Sequence, residues 1–161
     1  MEKAEACGCL AKNIRQEKGR GFLLKTGLVM EGGAMRGMFT AGVMDVFMEA
    51  DICFDGAVGV SAGAAFGCNY KSGQIRRAIR YNPRFCKDKR YCSKRSLFKT
   101  GDLFGAEFCY HTVPDELDIF DNAAFAASPM EFWVVATDIT TGKAVYHKCG
   151  HKRNVIYSSL S

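Results

Sequence analysis

The chain has 161 residues, 48% of them apolar and 24% charged, which is the length and balance of one soluble globular domain able to bury a core. No apolar run approaches the roughly 18 residues of a membrane-spanning helix, and the charged stretch from Met1 to Gly21 lacks the apolar centre of a signal peptide. The expectation is a cytoplasmic protein or a piece of one, at most peripheral at the inner membrane surface.

The formal charge of +5 is unevenly spread. Eleven of the 22 basic residues lie between Lys71 and Lys99, where Asp88 is the only acid and Tyr70, Tyr81, Phe85, Tyr91 and Phe98 are interleaved. Such a stretch suits nucleic acid, an anionic lipid surface or plain solvent. Eight cysteines show no C-x-x-C spacing, and Cys53, Cys68 and Cys109 sit among apolar residues, as small core hydrophobes in a reducing compartment do. No Cys or His cluster has ligand spacing, so neither a metal nor a cofactor is expected.

In chain order, residues 1–26 read as a short helical extension ahead of the domain at 27–161. Leu28, Val29 and Met30 form an apolar run closed by Glu31 and two glycines, as in a strand buried on both faces of a parallel sheet. From Met38 to Ala50, Phe39, Val43, Val46, Phe47 and Ala50 recur at helical spacing. Strand, glycine loop and helix then repeat: Ala57 to Val60 is the strand, Ser61 the turn, Ala62 to Tyr70 the helix. Alternation of this kind predicts a parallel sheet covered on both sides, with ligand sites at the carboxyl ends of the strands.

Beyond Lys71 the pattern weakens. Gln74 to Tyr81 predicts a basic helix stopped near Pro83, followed by loops through Gly101 and Gly105, and Asp115 to Phe120 reads as acidic and exposed. Phe132 to Ala136 and Ala144 to His147 read as two strands joined by a turn at Thr141 and Gly142. Asn154 to Ser161 reads as the start of a helix, so the sequence is expected to be incomplete.

The chemistry concentrates at the two glycine clusters. Gly59-Val60-Ser61-Ala62-Gly63 fences a serine with small residues where a strand turns into a helix, the setting that holds a nucleophile up on a strained elbow. Upstream, Gly32-Gly33-Ala34-Met35-Arg36-Gly37 can turn successive backbone N–H groups toward one point and stabilise an oxyanion. Arg36 either fixes this loop or adds charge. A dinucleotide fingerprint fits poorly, because Ala34 stands where the pyrophosphate needs glycine and Ser61 is left unexplained.

Gly-Gly-x-x-Arg-Gly after a strand, then Gly-Val-Ser-Ala-Gly, resembles the patatin-like phospholipase family. Tyr-Asn-Pro-Arg at 81–84, Lys-Thr-Gly-Asp-Leu-Phe-Gly at 99–105 and Ala-Thr-Asp-x-x-Thr-Gly-Lys at 136–143 are similar to its bacterial branch. The resemblance implies a three-layer α/β/α fold with a mainly parallel sheet, and a serine lipid acyl hydrolase using a Ser-Asp dyad. It implies Ser61 as nucleophile, with Gly32, Gly33, Ala34, Arg36 and Ala62 at the oxyanion hole and Gly59 and Gly63 shaping the elbow. Ala34 departs from the pattern, as many members carry a third glycine there. The substrate class implied is phospholipid or acylglycerol; given that, the charge and aromatics of residues 71–99 are expected to meet anionic lipid rather than nucleic acid. The family's dyad aspartate lies in an Asp-Gly-Gly or Asp-Gly-Ala motif after the Ala-Thr-Asp stretch. Here the only Asp-Gly pair, Asp55 and Gly56, precedes the serine. The chain is therefore expected to hold half a catalytic site and to be nearly inert. Two alternatives remain: a non-catalytic lipid- or protein-binding module, or a Ser-Asp-His triad drawn from Asp121 or Asp138 with His147 or His151. The oligomeric state is left open.

Overall fold

The computed structural model of the chain describes residues 25–93, 98 and 104–150. Four strands, β1 (Gly27–Met30), β2 (Gly56–Val60), β3 (Glu131–Thr137) and β4 (Ala144–Cys149), form one sheet in the order β1-β2-β3-β4. The first three are parallel, with Val29 opposite Val58 and Val58 opposite Trp133, and β4 returns antiparallel through the turn at Thr141 and Gly142. This is the expected α/β architecture, hairpin included.

Helix α1 (Gly37–Glu49) joins β1 to β2, and α2 (Ala62–Lys71) follows β2 directly. Helix α3 (Arg77–Phe85), a wide π-type helix (Phe108–Leu117) and α4 (Asn122–Ala127) fill the long connection to β3. Strands taken in sequential order with right-handed crossovers must carry their helices on one face. On that face Met30, Ala57, Phe132 and Val134 pack against Ala64, Phe66, Cys68 and Phe125 in a single core. On the other face Val29 is 78% exposed and Tyr146 60% exposed, and no described helix covers them. The sheet expected to be covered on both sides thus has one helical layer among the described residues.

The basic helix, expected over Gln74 to Tyr81, spans Arg77–Phe85 and so ends two residues past Pro83, with Cys86 N–H reaching Asn82 O at 2.9 Å. Two expectations for the middle of the chain are corrected. Beyond Gly105, where the sequence predicts no helix, the chain forms the π-type helix and α4. Within 115–120, read as exposed, Asp118 and Phe120 are buried. The extension at 1–24 and the helix start at 154–161 lie outside the described residues.

Candidate active site

Ser61 follows the last residue of β2 and caps α2, with φ 49° and ψ −117°. That backbone conformation is costly for any L residue and is held only where its surroundings over-determine it. The surroundings are visible in the glycines. A Cβ on Gly63 would lie 2.4 Å from Met30 O, and one on Gly59 would lie 2.6 Å from Ala64 N. Helix α2 can start this close to the end of β1 only because both positions lack side chains. Ser61 itself is exposed at the carboxyl end of the sheet.

The glycine loop reaches the same point. A Cβ on Gly32 would meet the Ser61 Cβ at 3.1 Å, and one on Gly37, at the start of α1, would meet the Ala62 Cβ at 2.9 Å. The start of α1 and the N-terminus of α2 therefore converge beside the serine; Gly37 N–H is spent on Ala34 O, whereas the first turn of α2 presents free N–H groups and partial positive charge. Between them Ala34, Met35 and Arg36 form a single 3-10 turn in which Arg36 N–H donates to Gly33 O at 3.0 Å. That N–H is consumed inside the loop, so the Arg36 backbone fixes the turn. Ala34 adopts φ 47°, a left-handed value that glycine takes at less cost.

The chain belongs to the patatin-like phospholipase family. The family profile, described as "Patatin-like phospholipase", matches residues 28–145. A protein of Escherichia coli (strain K12) printed as "Uncharacterized protein YjjU" is 35% identical over 130 residues, a stretch that is 74% of this chain and 30% of that protein. The chain thus spans about 30% of the length of the curated relative that it matches.

In this patatin-like chain the candidate bases are engaged elsewhere. Asp55 sits at the amino end of the sheet, where its carboxylate accepts from Thr26 N–H at 2.8 Å and so ties β1 to β2. Asp121 accepts from Ala124 N–H at 2.8 Å as the cap of α4. Asp138 accepts from Thr140 N–H at 2.8 Å and Thr141 N–H at 3.4 Å; these bonds hold its carboxyl below the usual range and shape the β3–β4 turn. His147 is on β4, separated from β2 by all of β3, and His151 lies outside the described residues. Among the described residues no carboxylate or imidazole is hydrogen-bonded to the Ser61 hydroxyl.

A cleft of about 210 Å³ opens beside Ser61, and sequence reasoning did not anticipate it. Ala34, Met35 and Ala62 line it from the site side, and Tyr91, Cys109 and Val113 from the later chain. Arg77 also reaches it but is only 3% exposed. Its guanidinium pairs with Asp118 at 3.2 Å, donates to Asn69 Oδ1 at 2.9 Å and lies 5.1 Å from the Tyr81 ring centroid. Arg80 adds a two-pronged bond to the same carboxylate at 2.7 and 2.8 Å. The Lys71 amine is buried too, donating to Ser128 O and Met130 O at 2.8 and 2.6 Å, and burial lowers its pKa. Lys71 and Arg77 are therefore core residues, and Arg76 is paired with Glu49 at 3.0 Å.

Among the described residues no group of three or more His, Cys, Asp or Glu side chains is placed to hold a metal ion. No described helix is long and apolar enough to cross a membrane.

Proposed function

We propose that Ser61 is the nucleophile of a lipid acyl hydrolase acting on carboxylic esters of phospholipids or acylglycerols. The observation that carries this reading is the strained backbone of Ser61, held by Gly59 and Gly63, with the Gly32–Gly37 loop packed against it. The Ser61 Oγ attacks the ester carbonyl, and N–H groups of Gly33, Ala34 and Ala62 stabilise the oxyanion. The alcohol then leaves, and water releases the acyl group from serine. Both steps need a base, which we place outside these 161 residues. Without it the chain retains what oxyanion stabilisation and binding supply, a loss on the order of 10⁴-fold or more in rate. The local engagement of Asp121 and Asp138 argues against a histidine triad.

A binding module on the same scaffold is the second reading, favoured by the absence of a base bonded to Ser61 among the described residues. Labelling with a fluorophosphonate probe separates the two. No labelling of this chain, with Ser61-dependent labelling once the polypeptide is extended at its C-terminus, supports the hydrolase. Ser61-dependent labelling of the 161-residue chain overturns the half-site. Labelling of neither form favours the module.

For contact with anionic lipid, exposed Arg84, Lys87, Lys89 and Arg90 are the relevant part of the basic stretch, each worth about 1 kcal/mol near a charged surface. Neutralising Arg84, Lys87 and Lys89 together weakens binding to anionic vesicles; unchanged binding refutes the surface.

A further inference from the structure

Strands β1, β2 and β3 are parallel, so their carboxyl ends form one edge of the sheet, with Ser61 in the middle of it. On the β1 side the glycine loop leads into the first turn of α1, where Phe39 is 81% exposed; Met35, just before it, also lines the cleft. On the β3 side the register places Val135 opposite Val60, and β3 continues through Ala136 and Thr137 before turning. The turn therefore overhangs the end of β2 by about 7 Å. Its Ile139 is 98% exposed.

A single exposed apolar side chain is ordinary, but Ile139 does not sit on slack chain. The Asp138 carboxylate accepts from Thr140 and Thr141 N–H, Gly142 N–H donates to Asp138 O at 2.7 Å, and Asp138 N–H donates to Lys143 O at 2.9 Å. A turn fastened this way holds Ile139 out in water and loses little freedom on meeting a partner. The opposite edge of the sheet is ionic: there Glu131 pairs with Lys148 at 2.6 Å and Asp55 accepts from Thr26 N–H. The edge that carries Ser61 instead has bulky hydrocarbon on both flanks. Its exposed charges are Arg36 and Lys143 with Glu31 as the acid beside them, since Asp138 is spent inside the turn. Arg84 adds a further cation from the last turn of α3, the helix whose Tyr81 and Asn82 line the cleft.

We infer that this edge seats on an anionic lipid surface, with Phe39 and Ile139 as apolar anchors that enter it on either side of Ser61. The inference deepens the lipid reading above and rests on it for the choice of lipid as partner. A lipid surface fits both halves of the pattern, offering hydrocarbon to the anchors and phosphate to a rim in which cations outnumber the acid. Seating at these points brings the mouth of the cleft against the layer that holds the esters.

Co-sedimentation of the 161-residue chain with vesicles of phosphatidylcholine and phosphatidylglycerol tests this. Phe39→Ser and Ile139→Ser are expected to weaken binding about tenfold each and about a hundredfold together, by removing one inserted side chain apiece. Neither side chain is packed in the core, so both variants fold, which unchanged thermal melts verify. Val46, 60% exposed in the later part of α1 where the helix has run back toward the ionic edge, is the control, and Val46→Ser is expected to bind as the unaltered chain does. No binding, binding untouched by both anchor substitutions, or an equal loss with Val46→Ser overturns the inference. A dimer of the unaltered chain that both anchor substitutions disperse also overturns it, by assigning the edge to a second copy. A loss seen in the 161-residue chain but absent from a C-terminally extended one does the same, by showing that further polypeptide covers the edge. The hydrolase reading fails separately. Ser61-dependent labelling with vesicle binding indifferent to the anchors removes only the anchors, and anchor-dependent binding without labelling removes only the enzyme.

Discussion

Ala34 and Ser61 carry the same kind of cost at adjacent points of one site. Each is a non-glycine residue at positive φ, where Cβ crowds the neighbouring carbonyl at about 1–2 kcal/mol. In the proposed reaction Ser61 needs its side chain, whereas Ala34 needs only its backbone N–H. Ala34→Gly should therefore raise stability by about 0.5 kcal/mol, the strain relieved less the extra entropy of glycine in the unfolded chain. A higher urea midpoint with an unchanged slope would show it, and a lower midpoint would mean that the loop depends on the alanine methyl. The turn at Ser61 and the glycine loop are legible in the sequence, because spacing and glycine content are visible in letters. The dihedral at Ala34 is not, since alanine is the residue least suggestive of a left-handed turn.

Among the elements, the junction of β1, β2 and α2 is the tightest. Gly63→Ala would press a methyl against the Met30 and Glu31 carbonyls, which are backbone and cannot rotate away, so a loss of about 2–3 kcal/mol is expected. Gly150→Ala, with open space around it, should stay within about 0.5 kcal/mol and serves as the control. Parallel thermal melts of the two variants check both values. The second junction is Asp118, which fastens α3 to the end of the π-type helix through Arg77 and Arg80. Removing the carboxylate strands a buried guanidinium, so Asp118→Ala should cost about 3 kcal/mol or more and lower the urea midpoint accordingly. An effect under 1 kcal/mol would show that water reaches Arg77.

These elements also mark where legibility ended. The first strand–loop–helix unit and its repeat were readable because apolar runs and glycines alternate at fixed periods. The π-type helix at 108–117 was not, since its wider turn and Pro114 break the 3.6-residue period. Lys71 and Arg77 looked like surface charge because a count of basic residues cannot see the carbonyls and the aspartate that bury them.

At the scale of the molecule, alkaline pH should be its weak side. Burial pushes the thiols of Cys109 and Cys149 from the ordinary 9.0 up to about 12 and about 11, and raises the Tyr91 phenol as well. The folded chain keeps these protons where the unfolded chain would release them. Their stabilisation is thus complete below pH 9 and is lost as pH climbs through 11 and 12. Lys71, lowered by burial, acts in the opposite sense, as one group against these three and the Tyr81 phenol, which burial also raises. A urea midpoint lower at pH 10.5 than at pH 8 is the expected outcome; equal midpoints would mean that the thiols are hydrated. The open sheet face gives a second global property. Val29, Val60 and Tyr146 are exposed on strands of a kind normally sandwiched between layers, so the 161-residue chain should bind anilinonaphthalene sulfonate in its folded state. Dye fluorescence should fall when Val29 and Tyr146 are changed to threonine, whereas undiminished fluorescence would place the dye elsewhere.

The strand order β1-β2-β3-β4 bears on how such a sheet comes into being. Each strand pairs with the one made just before it, so a chain emerging from the ribosome can lay down the sheet one edge at a time. No gap is held open for a late arrival. Any strand contributed by further polypeptide can join only outside β1 or outside β4, leaving the elbow at Ser61 as it was first folded.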